Sequence, residues 1–167
     1  ANRNETFENG LSGFVTRVSA QGTYEDNLST NNTESGFVSF HNSIMIARNN
    51  ESHHNGMQGF ATEDQSTGTF NNNLAYQNTE TGYSAFTESK MTASNNQSYE
   101  NGYHGLSAND TAQATLSNNE VYNNFLMDDE MVSQPIENGV DGTHSGPNYS
   151  DYNVLRKSPL ARYMIVN

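Results

Sequence analysis

A strict 23-residue repeat runs through most of this chain and constrains its fold more than any other feature. Each unit carries a glycine followed by a large apolar residue, and two asparagines in fixed register. The glycines are Gly13, Gly36, Gly59, Gly82 and Gly105, and the residues after them are Phe14, Phe37, Phe60, Tyr83 and Leu106. The asparagine columns are Asn4, Asn27, Asn50, Asn73, Asn96 and Asn119, and Asn9, Asn32, Asn55, Asn78, Asn101 and Asn124. An uninterrupted repeat of this kind predicts a solenoid, in which each unit forms one coil and stacks on the next.

Within each unit, short segments alternate between inward and outward side chains, as β-strands do. In the segment after the glycine, the large apolar residue and the small residue two positions later are both expected inside. The second segment pairs a large and a small inward residue, such as Met45 with Ala47 and Gly68 with Phe70, which keeps a narrow interior filled. The third segment supplies small inward residues at Ser29, Ser52, Ala75, Ser98 and Val121.

Three short strands per unit predict an all-β fold, a right-handed parallel β-helix of about six coils with 23 residues each. A leucine-rich repeat of similar length would need several leucines and a helical segment per unit, whereas Asn, Gly, Ser and Thr dominate here. Stacking places each residue about 4.8 Å above its counterpart in the next coil. The asparagine columns then become ladders of hydrogen-bonded side-chain amides, a structural role that requires no ligand.

The composition excludes several classes of partner. The net charge is −12 with seven Lys and Arg residues, so no nucleic acid is expected, because its binding depends on neutralising phosphates. No apolar run approaches the roughly 18 residues of a membrane span, so no membrane contact is expected either. The absence of cysteine excludes disulfides and thiolate metal sites. A hydrophobic content of 32% would indicate disorder in an aperiodic chain, but the repeat predicts a folded solenoid.

The repeat also predicts where the solenoid ends. Residues 1–127 are expected to form the coils, and residues 128–167 an irregular C-terminal loop with capping strands of the same domain. The repeat glycine and apolar residue are replaced there by Asp128 and Asp129, and "YNVL" and "RYMIV" are the candidate closing strands. Asn4 is already a ladder position, so the first coil has no cap. An uncapped coil predicts continuation from a longer solenoid, or end-to-end contact with another chain or domain.

The coils resemble those of mannuronan C5-epimerases and pectate-lyase-like enzymes. The stretch "GTFNNNLAYQNTETGYSAF" carries the likeness, because epimerase coils also read Tyr-x-Asn-Gly-x-x-Gly-Phe and Phe-x-Asn-Asn. The likeness spans about residues 4–127 and implies an extracellular or secreted protein that acts on an acidic polysaccharide such as alginate. The epimerases abstract the proton at C5 of a uronate and return one to the opposite face, whereas lyases of similar fold eliminate. The epimerase motif Tyr-Gly-Phe-Asp-Pro-His does not occur in this chain.

One outward face combines titratable and aromatic side chains, on the strand after the glycine and its following turn. Its two columns are Arg17, Phe40, Glu63, Phe86 and Asn109, and Val18, His41, Asp64, Thr87 and Asp110. In register, His41 and Asp64 lie one coil apart at about 5 Å, which suits an acid/base pair. The catalytic candidates are His41, Asp64, Glu63 and Arg17, and the substrate-binding candidates are Phe40, Phe86, Asn109 and Asp110. Catalysis, glycan binding and a solvated surface all remain open for this face.

A second outward column is mostly aromatic and contains a histidine. It reads Phe7, Thr30, His53, Tyr76, Tyr99 and Tyr122. Stacking that supports the sheet is the leading interpretation, with glycan binding and packing against another chain as alternatives. His54 follows His53, but adjacent side chains on a strand are expected to point in different directions, so the pair is not expected to chelate a metal.

Calcium is the one cofactor that the sequence suggests. Acidic residues cluster at Asp128, Asp129 and Glu130, but no loop of the Asp-x-Asp-x-Asp-Gly type accompanies them. No metal ligands are therefore assigned.

Two functional hypotheses follow. In the first, the chain is part of an extracellular polysaccharide-binding or polysaccharide-modifying protein that resembles epimerases or lyases of polyuronates. In the second, it is a non-catalytic structural or adhesive solenoid that serves as a spacer or assembly unit. The resemblance favours the first, and the missing motif favours the second.

Overall fold

Three parallel β-sheets wind around one narrow interior, and each repeat unit contributes one strand to each sheet. The structure is a computed structural model that describes residues 1–109, 111–125, 127–131, 150–151 and 154–156. These strands confirm the predicted all-β parallel β-helix with three strands per coil. Within the described residues, no helix has the length and apolar character needed to cross a membrane.

The three sheets are named here by the order in which the chain enters them. Sheet A contains β1 (Glu5–Phe7), β4 (Leu28–Thr30), β7 (Glu51–His53), β10 (Leu74–Tyr76), β13 (Gln97–Tyr99), β16 (Glu120–Tyr122) and β19 (Val154–Arg156). Sheet B contains β2 (Phe14–Arg17), β5 (Phe37–Phe40), β8 (Phe60–Thr62), β11 (Tyr83–Ala85), β14 (His104–Ala108) and β17 (Met127–Met131). Sheet C contains β3 (Gln21–Glu25), β6 (Ile44–Arg48), β9 (Thr67–Asn71), β12 (Lys90–Ser94), β15 (Gln113–Ser117) and β18 (Ser150–Asp151).

The strands pair in parallel at the predicted interval of 23 residues, so that Tyr76 lies beside Tyr99. In sheet B this register continues to β17, where Met127 pairs with His104. The last coil is longer, because 34 residues separate Leu116 from its partner Ser150, which is 11 more than in the other coils. The domain division at residue 127 stays a prediction, and "RYMIV" lies outside the described residues.

A column of stacked rings fills the interior behind sheet B. The rings of Phe14, Phe37, Phe60 and Tyr83 lie 4.7, 4.7 and 4.9 Å apart between successive centroids and are nearly parallel. Behind sheet C, the large and small residues alternate as predicted, since Met45 and Phe70 are both fully buried. Burial of each large side chain contributes about 1.5–3 kcal/mol to the free energy of folding.

The asparagine ladders form at the buried corners between strands, as predicted. Asn73 is typical: its side-chain nitrogen donates to Asn96 Oδ1 at 3.2 Å and to the carbonyl of Ala47 at 2.9 Å. Its Oδ1 accepts from both the backbone and side-chain nitrogens of Asn50, at 2.9 and 3.0 Å. Each amide thus ties one coil to the coils on both sides of it, and satisfies backbone groups at the corner and at the adjoining end of a strand.

The corners between strands use left-handed backbone conformations. After sheet B the chain turns through two consecutive residues of positive φ, for example His41 at 57° and Asn42 at 59°. After sheet A it turns through one, such as His54 at 55° and Gln77 at 52°. A corner of this kind breaks the strand alternation, so the side-chain directions there no longer follow from position along the strand.

Candidate functional site

His41 and Asp64 meet at the corner that follows sheet B. His41 Nε2 lies 3.3 Å from Asp64 Oδ2, with the side chains 59% and 48% exposed. The backbone holds them in register, because Asn42 N donates to the carbonyl of Asp64 at 3.0 Å. Their predicted proximity is therefore confirmed, and a catalytic role for the pair remains a proposal.

Arg17 and Phe40 lie beside this pair at the end of sheet B. The two residues are direct register partners on β2 and β5. Phe40 is half-buried, and its ring meets the imidazole of His41 edge-on, with 4.8 Å between centroids. Arg17 is exposed, which leaves its guanidinium free to face a ligand on the same surface.

The remaining substrate-binding candidates extend the row along the solenoid. Phe86 and Asn109 are half-buried and follow Glu63 in successive coils, where Phe86 N donates to the carbonyl of Thr62 and Asn109 N to that of Ala85. Asp110 lies outside the described residues. The part of this candidate row that the structure describes therefore runs from Arg17 to Asn109.

The outward row next to these residues is unexpectedly buried. Ala61, Ser84 and Ser107 are register partners that alternate with the inward core residues, yet each has no exposed surface. The hydroxyls of Ser84 and Ser107 also have no hydrogen-bond partner. Sequence analysis missed this row, because small residues at outward positions give no signal of burial. Buried hydroxyls without a partner are uncommon in folded proteins.

Glu63 lies among other carboxylates on this face. Burial raises its pKa, and the neighbouring Asp64 and then Glu34 and Glu80 raise it further. The last two belong to the turn before sheet B, where Ser12 donates to Glu34 at 3.0 Å and Gln58 donates to Glu80. The face is therefore strongly acidic, and protonation of Glu63 relieves part of that charge.

We expect Glu63→Gln to stabilise the protein at pH 7. The pKa of Glu63 is higher in the folded chain than the unfolded value of 4.5. Above pH 4.5 the folded chain therefore holds more protons than the unfolded chain, and stability falls as the pH rises through that window. Glutamine removes the charged form, so the gain should be on the order of 0.5 kcal/mol, since solvent screens a partly exposed group. The gain should disappear below pH 4.5. Urea unfolding between pH 4 and 8 measures it.

The matched control is Glu88→Gln, which removes a negative charge from an exposed position in the next coil and keeps an oxygen acceptor for Gln65. It should change stability by less than Glu63→Gln. An equal gain in both variants would show that net charge, not the surroundings of Glu63, is responsible.

The aromatic column on sheet A forms a continuous stack. His53, Tyr76, Tyr99 and Tyr122 lie 4.7, 5.1 and 5.0 Å apart between successive centroids, with interplanar angles of 20°, 7° and 8°. Ring faces that cover one another cannot also stack on a sugar ring. The stack therefore supports the sheet, in agreement with the leading interpretation. Phe7, at the other end of the column, is exposed.

His53 and His54 do not point apart, so the prediction of their orientation is wrong. Their Nδ1 atoms lie 2.7 Å from each other. The reason is the positive φ of 55° at His54, which ends the strand and turns this side chain back towards its neighbour. Burial lowers the pKa of His53, and the nearby Glu51 partly opposes that shift.

No group of three or more His, Cys, Asp or Glu side chains converges on a metal position within the described part of the chain. The side chains of Asp128, Asp129 and Glu130 are not part of that description. The calcium hypothesis therefore stays a prediction.

Comparison with known proteins places these features in a family. The family model for the right-handed β-helix region matches residues 1–156. The mannuronan C-5 epimerase AlgE4 A-module of Azotobacter vinelandii superimposes with a TM-score of 0.73 and 15% identity, over 99% of this chain and 57% of that one. The periplasmic alginate epimerase AlgG superimposes with a TM-score of 0.71 and 16% identity, over 90% of this chain and 43% of that one.

These solved structures share the fold, and this chain spans about half of their length. No curated protein sequence matches it. The parallel sheets, the regular 23-residue coils and the match of the family model over most of the chain agree with one another. The chain therefore belongs to the right-handed β-helix family.

Proposed function

We propose that this chain is part of an extracellular or periplasmic protein that binds and modifies a polyuronate of the alginate type, as an epimerase or lyase would. The observation that carries the proposal is the His41–Asp64 pair at 3.3 Å, beside the half-buried ring of Phe40. The fold shared with alginate epimerases supports the class of substrate. The outer face of sheet B and the corner after it, from Arg17 to Asn109, form the proposed site.

The reaction requires a base for the C5 proton, an acid, and a group that neutralises the sugar carboxylate. His41 is suited to act as the base, because the carboxylate of Asp64 beside Nε2 stabilises the imidazolium that forms. Glu63 is suited to act as the acid, because its raised pKa favours the protonated form. In epimerisation that proton returns to C5 from the opposite face. In elimination it goes to the oxygen that leaves C4, as the electrons of the broken C5–H bond form the new double bond.

Charge limits which substrates this face accepts. Glu34, Glu63, Asp64 and Glu80 repel a polyanion, and Arg17 is the cation on the described face. We therefore infer that Arg17 pairs with one uronate carboxylate, because its exposed side chain lies at the end of sheet B beside Phe40. Binding should strengthen as the pH falls, because the raised pKa of Glu63 favours its uncharged form.

Incubation of the full-length protein with alginate, pectate and related polyuronates tests the proposal. NMR of the product gives the uronate ratio and detects unsaturated ends. We expect His41→Ala to lower the rate by about 100-fold or more, in the range of lost general acid/base catalysis. Arg17→Ala should mainly raise KM. Lys90→Ala removes an exposed cation from the outer face of sheet C and is the matched control, with no expected change.

A folded full-length protein that turns over none of these polymers would overturn the proposal. That result would favour the second candidate, a non-catalytic solenoid. The absence of the Tyr-Gly-Phe-Asp-Pro-His motif from this chain supports that candidate. Affinity electrophoresis in gels containing alginate then distinguishes a binding module, which is retarded, from a spacer, which is not.

A further inference from the structure

The corner after β7 brings two imidazoles together in only one coil of the described solenoid. His53 occupies a column in which the coils on either side have Thr30 and Tyr76, and His54 a column with Asn31 and Gln77. The Nδ1 atoms of the two histidines lie 2.7 Å apart. This corner follows a strand of sheet A, whereas the His41–Asp64 pair follows strands of sheet B.

The preceding coil shows a similar contact at the same corner. The preceding coil has the same left-handed turn at Asn31, with a φ of 54°. There the side chains of adjacent residues also meet, since Asn31 Nδ2 donates to Thr30 Oγ1 at 3.1 Å. The two adjacent side chains thus meet in both of these coils, and in the second coil both are imidazoles.

The surroundings of His53 leave a lone pair at that point. Its Nε2 faces Glu51 Oε1 at 3.7 Å, and this carboxylate also accepts from Tyr76 OH at 2.6 Å. The carboxylate favours the proton on Nε2, so Nδ1 carries the lone pair and accepts from its neighbours. Thr30 Oγ1, 3.1 Å from the same Nδ1, is positioned to be one of the donors. The stacked ring of Tyr76 holds the imidazole in place.

His54 completes a chelating pair by a change of tautomer. Its ring supplies the Nδ1 proton between the two nitrogens, and its exposed position lets that proton move to Nε2, which faces solvent. The Nδ1 atoms face each other almost head-on in the present arrangement, with 4.9 Å between ring centroids, so the exposed His54 ring also turns to aim both lone pairs at one position. Two ligands at about 2.0 Å in neighbouring positions of a square plane have their nitrogens roughly 2.9 Å apart, close to the distance found here.

We propose that His53 and His54 form a surface site for a late first-row divalent metal ion, with Cu²⁺ bound most tightly. Paired imidazole nitrogens at a right-angle bite suit the tetragonal geometry of Cu²⁺ and Ni²⁺, and affinity rises from Ni²⁺ to Cu²⁺ and falls again at Zn²⁺. Water fills the remaining positions, and Glu51 is a positioning residue that orients His53. Hard cations such as Ca²⁺ and Mg²⁺ prefer oxygen ligands and are not bound here.

Titration of the intact protein with CuCl₂, followed by proton NMR of the imidazole C2 protons, tests this site. We expect the first equivalent of Cu²⁺ to broaden the resonances of His53 and His54 before those of His41. His54→Ala should weaken binding more than tenfold. His53→Tyr should do the same while preserving the stack, because tyrosine fills this column in the next three coils. His41→Ala is the control and should bind Cu²⁺ like the wild type.

Isothermal titration calorimetry gives the affinities and the order among metals. The two single variants should lose similar amounts of affinity, since a chelate needs both nitrogens. Equal broadening of all histidines, wild-type affinity in either variant, or no binding of the first equivalent would overturn the proposal. Tighter binding of Ca²⁺ than of Cu²⁺ would overturn it as well.

Discussion

Asn73→Ala should destabilise the protein by about 3–5 kcal/mol. The substitution leaves the two nitrogens of Asn50 and the carbonyl of Ala47 without their partners in a buried corner. Each buried polar group that loses its partner costs about 1–3 kcal/mol, and the vacated volume adds to the loss. Because one amide serves three coils, the effect should exceed that of an ordinary single hydrogen bond. Urea unfolding, followed by circular dichroism, measures the difference in free energy.

Asn71→Ala is the matched control for this prediction. Asn71 lies two residues earlier, on the outer side of β9, is only half-buried and donates one hydrogen bond, to Ser94 at 3.0 Å. Its loss should cost about 1 kcal/mol or less. Equal losses in the two variants would contradict the structural role assigned to the ladder.

Gly82→Ala should destabilise the protein by more than about 3 kcal/mol or prevent folding. A Cβ at this position would lie 2.7 Å from the carbonyl oxygen of Gly105 and 2.9 Å from Asn101 Nδ2, and would overlap Ser98 Oγ. The carbonyl belongs to the next coil and cannot move without disturbing the parallel register. Overpacking of this kind typically costs 1–3 kcal/mol, and more where backbone atoms are involved.

Gly10→Ala provides the control, because a Cβ there would meet nothing within 4 Å. It should change the free energy of unfolding by less than about 0.5 kcal/mol, or raise it slightly through the unfolded chain. Circular dichroism and urea unfolding of both variants give the comparison. Wild-type stability of Gly82→Ala would show that the coils tolerate a wider spacing than the structure allows.

The two predictions concern one network. Ser98 Oγ donates to the carbonyl of Gly105 at 2.8 Å and accepts from Asn101 Nδ2 at 3.1 Å. The glycine column leaves the space that this serine and amide occupy, so glycine is required for its volume here and not for a positive φ. The two columns that define the repeat in the sequence are therefore in close contact at Gly36, Gly59 and Gly82.

The sequence predicted the fold well because a repeat places every residue type in the same environment several times. The stacked rings from Phe14 to Tyr83 and the buried pair of Met45 and Ala47 lie where the pattern placed them. The contact of His41 with Asp64 also followed from the register alone. These are relationships between coils, and a constant period of 23 residues is enough to fix them.

Relationships within a coil could not be obtained in the same way. The pair of His53 and His54 converges because of a left-handed φ, which amino-acid spacing does not reveal. Burial and the neighbouring Asp64 raise the pKa of Glu63, and Glu34 and Glu80 raise it further from the turn before sheet B. The buried hydroxyls of Ser84 and Ser107 likewise carry no mark in the sequence.

By itself, then, the sequence determined the parallel β-helix, its register, its asparagine ladders and its filled interior, because all of these repeat along the chain. Only the tertiary structure decided which side chains meet at the corners and which outward residues are buried. The physical reason is that corner dihedral angles, and not the period, set the directions of those side chains. The candidate chemistry of this protein, at His41 with Asp64 and at His53 with His54, lies at such corners.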